Sequence, residues 1–66
     1  MNNAYTLTKF ELYLEFAHNG NSIRIGRSWI YRNEVHDWDD NTHILDNVAD
    51  AFNYFCMINA DTIKEN

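Results

Sequence analysis

A run of alternating side chains that ends at an Asn-Gly pair limits the possible folds of this 66-residue chain more than any other feature. Apolar and polar residues alternate along residues 9–17, which is the period of a β-strand with one buried face. Asn19-Gly20 follows closely, and this pair favours a two-residue hairpin turn because both central positions of that turn need positive φ. We therefore predict a β-hairpin with strands over about residues 8–17 and 22–32.

The two strands of this hairpin can be aligned by taking Asn19 and Gly20 as the turn. The alignment places opposite charges side by side and an aromatic ring over a glycine, and both are favourable neighbours across a hairpin. The four predicted pairs are Phe16–Ile23, Leu14–Ile25, Glu15–Arg24 and Tyr13–Gly26.

Two alternatives remain for the second strand beyond Gly26. An unbroken strand turns Arg27, Trp29 and Tyr31 toward the core, where an unpaired arginine is costly. A bulge at Gly26-Arg27 instead turns Ile30 inward and turns Trp29 and Tyr31 outward. We favour the bulge because it keeps the charge out of the core.

An amphipathic helix is predicted over about residues 42–58, with Asp40, Asn41 or Thr42 as its N-cap. The tail over residues 59–66 is expected to fray. The predicted fold is α+β in ββα order: a hairpin of two to three antiparallel strands, then one helix packed on one sheet face, in a single domain over residues 1–66. The apolar residues at helical spacing are Ile44, Leu45, Val48, Ala51, Phe52, Phe55 and Cys56.

A chain this short builds a small core, and small domains often need a disulfide, a metal ion or a partner subunit. Cys56 is the only cysteine, which excludes an internal disulfide, and no Cys/His set has zinc-finger spacing. Because an isolated hairpin is marginally stable even with a helix on one face, we expect a homodimer. The predicted self-association residues are Tyr13, Trp29, Ile30 and Tyr31.

No residue pattern in the chain indicates catalysis, so we expect no enzyme activity, no catalytic residues and no cofactor. There is no nucleophile–base pair and no Gly-rich phosphate loop, and Cys56 lies on the apolar stripe of the predicted helix. A metal-dependent enzyme around His36, Asp37 and His43 is the weakest alternative, because zinc needs three or four ligands that converge on one point.

The charge of the chain is distributed unevenly between its two halves. Residues 1–33 carry four basic and two acidic side chains, a balance of +2, whereas residues 34–66 carry one basic and eight acidic side chains, a balance of −7. An acidic row of this kind can dock in a basic groove of a larger protein. The predicted interface residues are Trp38, Asp39, Asp40, Asp46, Asp50 and Tyr54.

We therefore expect a small acidic interaction protein that acts by direct protein binding. Phages and mobile elements encode small proteins of this general character, which inhibit host nucleic-acid enzymes or defence systems. The alternative is a nucleic-acid-binding regulator that uses the strand Arg24–Arg32, where arginines alternate with aromatic rings. The acidic total opposes this alternative, so direct nucleic-acid binding is not expected.

The location of the protein is predicted from what its sequence lacks. No stretch approaches the ~20 apolar residues that span a bilayer, and the N-terminus has no basic region followed by an apolar run. A lone thiol is typical of a reducing compartment. We expect a complete small gene product in the cytoplasm, of the host cell if a phage encodes it, with no membrane contact.

Overall fold

Along the chain, one helix comes first, the four strands of an antiparallel sheet follow, and a second helix comes after them. The computed structural model describes residues 7–64. The strands are neighbours in the order β1-β2-β3-β4. The predicted α+β class is confirmed, but the ββα order is wrong, because a helix comes first and four strands precede the second helix. The elements are α1 (Lys9–His18), β1 (Ser22–Ile25), β2 (Ser28–Tyr31), β3 (Glu34–His36), β4 (Thr42–Ile44), α2 (Val48–Ile58) and a 3-10 helix (Ala60–Thr62).

Helix α1 occupies the segment for which the alternating pattern predicted a first strand. The Thr8 side chain accepts a hydrogen bond from the Glu11 amide, and the Glu11 carboxylate accepts one from the Thr8 amide at 2.9 Å. This reciprocal capping box stabilises a helix start. Leu12 and Phe16, one helical turn apart, are fully buried, whereas Phe10 is 67% exposed. The strand prediction for residues 8–17 is therefore wrong.

The Asn-Gly pair ends helix α1 instead of turning a hairpin. Gly20 has a φ of +75°, and its amide donates to the Ala17 carbonyl at 3.3 Å. The Asn21 amide donates to the Phe16 carbonyl at 2.8 Å. These two bonds form a Schellman motif, which also requires positive φ at the glycine position. The turn prediction failed because positive φ at the glycine is needed both in a two-residue hairpin turn and in a Schellman motif.

The predicted second strand, residues 22–32, divides into β1 and β2 at a two-residue turn. Gly26-Arg27 forms that turn, since Ile25 pairs with Ser28. The predicted bulge is therefore wrong. The four predicted cross-strand pairs are also wrong, because residues 13–16 lie in helix α1. The orientation that the bulge implied is nevertheless observed: Ile30 is fully buried, and Trp29 lies on the opposite sheet face.

Two short strands occupy the segment before the predicted helix 42–58 and the first turn of that helix. β3 and β4 pair antiparallel, with Glu34 opposite Ile44. Helix α2 begins only at Val48, and its N-cap is Asn47, whose side chain accepts from the Asp50 amide at 2.8 Å. The three N-cap candidates proposed from the sequence are wrong, because the segment 42–44 is a strand.

The predicted fraying of the tail is also wrong for the part of the tail that the structure describes. The 3-10 helix continues from α2, and Ile63 is only 7% exposed. The Lys64 amide donates to the Leu7 carbonyl at 2.9 Å, so residues at the two ends of the described range are held together. Glu65 and Asn66 lie outside the described residues.

Both helices cover the same face of the sheet. α1 contacts β1, and α2 contacts β2 and β3. The opposite face, which we call the outer sheet face, is covered by no helix within residues 7–64. The core consists of Leu12, Phe16, Ile23, Ile25, Ile30, Val35, Ala51, Phe52, Phe55, Cys56 and Ile63. The outer sheet face presents Ser22, Arg24, Trp29, Tyr31, Glu34, His36, Thr42 and Ile44.

Candidate interaction site

The structure separates the predicted acidic interface into two groups. Asp39 and Asp40 lie in the β3–β4 loop, whereas Asp46 and Asp50 lie at the N-terminal end of α2. The loop packs near the other end of α2, at Asn59, which is about 13 Å from Asp50 at ~1.5 Å of rise per residue. One partner surface would therefore have to span most of the helix to contact both groups. Their role as an interface stays a prediction.

Trp38, an aromatic residue of that predicted interface, holds the β3–β4 loop in place. Its indole N–H donates to the Asn59 side-chain oxygen at 2.6 Å. Asn59 is 2% exposed, and its amide group donates to the Ser28 hydroxyl and to the Phe55 carbonyl. The Ser28 hydroxyl in turn donates to the His36 carbonyl at 2.8 Å. This buried chain of polar contacts gives Trp38 a structural role in addition to any binding role.

Tyr54, the other aromatic residue of the predicted interface, lies midway along α2 and faces β4. Its hydroxyl is 3.4 Å from the ring nitrogens of His43, and the two rings are 4.9 Å apart between centres. The contact places the Tyr54 hydroxyl against β4.

The two histidines of the proposed metal site pair with different carboxylates. His43 contacts Asp37 at 3.0 Å, whereas His36 contacts Glu34 at 2.7 Å. The hydrogen bond from His43, together with backbone amides of the loop, lowers the pKa of Asp37 to about 2. Within the described range 7–64, no group of three or more His, Cys, Asp or Glu side chains could hold a metal ion.

Cys56 is a buried thiol in the core between the helices and the sheet. Burial raises the pKa of this thiol to about 11, although the charge of Lys9 acts in the opposite direction. The thiol is therefore protonated at neutral pH, and a protonated thiol is a poor nucleophile.

A groove with a volume of about 430 Å³ runs between α1 and α2, and we call it the helix groove. The Tyr13 ring contacts the Phe52 ring edge to face, with 5.2 Å between their centres, and these rings form its floor. Phe10 stands at its rim with two-thirds of its surface exposed. The lining residues are Lys9, Phe10, Tyr13, Ala49, Phe52 and Asn53.

The apolar surface of the helix groove continues along α1. Phe10, Tyr13 and Leu14 are 67%, 46% and 52% exposed. Large apolar side chains that cluster on a surface are typical of protein-binding sites. The strand interpretation missed this surface because it turned Phe10 and Leu14 into the core. The signal that could have revealed it is the capping pair Thr8 and Glu11, which favours a helix from residue 9 onward.

The predicted self-association residues do not share one surface. Tyr13 lies on α1, Trp29 and Tyr31 lie on the outer sheet face, and Ile30 is fully buried between the sheet and the helices. The reason for expecting a homodimer, a hairpin with a single helix, does not apply to a four-stranded sheet covered by two helices. The homodimer itself stays a prediction.

Comparison with known proteins found no matching family model, no matching curated protein and no matching solved structure. Within residues 7–64, no helix is long and apolar enough to cross a membrane. A function for this chain is therefore inferred from its own surfaces.

Proposed function

We propose that this chain is a non-catalytic protein-binding domain whose helix groove holds an apolar, basic segment of a larger partner protein. The observation that carries the proposal is the exposure of Phe10, Tyr13 and Leu14 beside the groove. Two helices with a groove between them suit a partner that inserts a few apolar anchors, as an amphipathic helix does. The cytoplasm is the proposed location.

The apolar side chains supply the affinity in this proposal. Phe10 and Leu14 are one helical turn apart on α1, so a single partner element can cover both. The Tyr13 ring is already held against Phe52, which lowers the entropy lost when a partner packs on it. Aromatic residues at the centre of an interface commonly account for most of its binding energy.

The charges around the groove favour a basic partner. Ala49 and Asn53 line the α2 wall, Asp50 lies between them on the same helix, and Asp46 immediately precedes the N-cap Asn47. Lys9 is the one cation among the lining residues. The net charge of −5 would attract a basic surface and speed association. The target class that we propose is a host nucleic-acid enzyme, whose basic nucleic-acid groove is blocked when a segment beside it is held in the helix groove.

Replacing Phe10 with Ser is expected to weaken partner binding by about 2 kcal/mol, roughly 30-fold in Kd, because an exposed anchor is lost. Leu14→Ser should act in the same direction. The measurement is quantitative capture of proteins from a bacterial lysate on the immobilised chain, followed by titration of the purified partner. Thermal unfolding should change little, since both side chains are already exposed.

Ile44→Ser is the matched control, because Ile44 is 64% exposed but lies on the outer sheet face. A genuine groove partner is retained by this variant and lost by Phe10→Ser.

The double variant Asp46→Asn and Asp50→Asn should slow association and reduce its dependence on salt. A captured protein that all variants retain equally would contradict the proposal. Light scattering that shows a dimer dissociated by Phe10→Ser would assign the groove to a second copy instead.

A further inference from the structure

We infer that the outer sheet face is a second binding surface and that its ligand is an unpaired stretch of nucleic acid. This surface lies on the side of the sheet opposite the helix groove. The inference therefore does not depend on the proposed function, and variants of one surface leave the other intact.

Aromatic rings form the centre of the outer sheet face. The Trp29 and His36 rings, on neighbouring strands, are stacked with 3.7 Å between their centres and 16° between their planes. Tyr31, on the same strand as Trp29, is 46% exposed, and the Arg32 guanidinium lies 5.0 Å from the centre of its ring. Trp29 is partly buried. Aromatic rings beside guanidinium groups are the elements that stack bases in single-strand binding proteins.

The spacing of these rings suits an extended strand. Trp29 and Tyr31 are two residues apart and point to the same face, so their attachment points are separated by about 7 Å. Neighbouring phosphates on one strand of B-form DNA are only ~3.4 Å apart along the helix axis. A base on each ring therefore requires a strand that is more extended than a duplex strand. Bases inside a duplex are stacked on one another and are not available to either ring.

The charge of the β1–β2 hairpin matches a phosphate backbone. Residues 22–33 contain three arginines and no carboxylate, which is the strongest local positive charge of the chain. Arg27 and Arg32 lie in the two turns at opposite ends of β2, and both are exposed. Phosphates that pass along β2 would therefore meet a cation at each end of the strand.

The acidic total of the chain does not outweigh this local charge. Glu34, the carboxylate on the outer sheet face, contacts His36 at 2.7 Å. Asp50 lies on α2, which covers the opposite face of the sheet, and a helix is ~10–12 Å thick. Since the Debye length at physiological salt is ~8 Å, the repulsion from Asp50 is largely screened at the outer sheet face.

The test is fluorescence anisotropy of a labelled oligothymidylate of about twelve nucleotides, which matches the strand length that a small single-strand binding domain covers. We expect saturable binding that weakens as salt is raised. Trp29→Ala should weaken it about tenfold or more, because a stacked base loses its platform. Tyr31→Ala should act similarly, and it keeps the test decisive if loss of the Trp29–His36 stack unfolds the chain.

Matched charge variants distinguish a specific binding site from general electrostatic attraction of the nucleic acid. Arg27→Gln with Arg32→Gln should lower the affinity and reduce the salt slope by about one for each lost phosphate contact. Lys9→Gln with Lys64→Gln removes the same charge from the side of α1 and should leave binding unchanged, as should Phe10→Ser. Equal losses in the two double variants would overturn the inference.

Two further oligonucleotides define the ligand. An oligouridylate of the same length should bind with similar variant sensitivity if the ligand is RNA, and more weakly than oligothymidylate if it is DNA. A duplex of the same length should bind more weakly than either single strand. Tighter binding of the duplex, absence of all binding at low salt, or binding that Trp29→Ala and Tyr31→Ala leave unchanged would overturn the inference.

Discussion

Replacing Leu12 with Ala is expected to lower the free energy of unfolding by about 2–4 kcal/mol, the usual cost of truncating a buried leucine. Leu12 is fully buried between α1 and the sheet. A domain of this length has a total stability of roughly 3–10 kcal/mol, so the loss is a large fraction of it. Alanine is a better helix former than leucine, so any loss reports on packing and not on helix propensity. Urea unfolding followed by circular dichroism measures it.

Leu14→Ala is the matched control for this prediction. Leu14 is 52% exposed on the other side of α1, and its truncation should change stability by less than about 0.5 kcal/mol. In the hairpin that the alternating pattern predicts, Leu12 and Leu14 face the same side and should cost similar amounts. Equal losses in the two variants would contradict the helix.

Replacing Gly26 with Ala is expected to destabilise the fold by about 2–4 kcal/mol, through two separate effects. A side chain at the φ of +60° costs about 1 kcal/mol. A Cβ at this position would also overlap the six-membered ring of Trp38. Trp38 would have to move, which weakens its hydrogen bond to Asn59 and adds the usual ~1–3 kcal/mol cost of overpacking. Thermal and urea unfolding measure the total.

Gly20 provides the control for the backbone effect, because it has a φ of +75° and an added Cβ would meet no non-neighbouring atom of residues 7–64 within 4 Å. Gly20→Ala should therefore cost only about 1 kcal/mol. In a Trp38→Ala background, the cost of Gly26→Ala should fall to the same level, since the clash is removed. A cost of Gly26→Ala that is unchanged in this background would show that Trp38 does not pack on the turn.

Helix α2 was largely predictable from the sequence, and helix α1 was not. The apolar residues from Val48 to Cys56 recur at helical spacing and fit no other periodicity, and α2 lies there. The segment around α1 satisfies two patterns at once, because Phe10, Leu12, Leu14 and Phe16 alternate while Leu12 and Phe16 are also one helical turn apart. Local periodicity cannot decide between two such patterns; the capping box and the packing of α1 on β1 decide for the helix.

The short strands escaped prediction for a different reason. β3 and β4 have three residues each, and only Val35 among them is fully buried. Strands this short show no readable alternation, and they are defined by their pairing partners. The loop acids and histidines around Asp37 were identified as a group, but their pairing into separate contacts depends on the β3–β4 register, which the sequence does not reveal.

One of the two candidate surfaces was predictable from the sequence, and the other was not. The Arg24–Arg32 segment was singled out from its alternation of arginines and aromatic rings, and the structure places Trp29 and Tyr31 together on one uncovered face. The helix groove was not predicted, because it depends on α1 being a helix. Its two walls come from segments about 40 residues apart in the chain, and no local pattern brings Phe10 beside Phe52.

The exposure of the α1 surface in the isolated chain tests the proposed function most directly. A soluble paramagnetic probe broadens the NMR signals of side chains that solvent reaches, and spectra are recorded over a range of protein concentrations. We expect the signals of Phe10 and Leu14 to be strongly broadened at every concentration and those of Leu12 and Phe16 to be protected. Protection of Phe10 and Leu14 equal to that of Leu12, even in dilute solution, would show that the groove is already covered and would contradict a docking site for a partner protein.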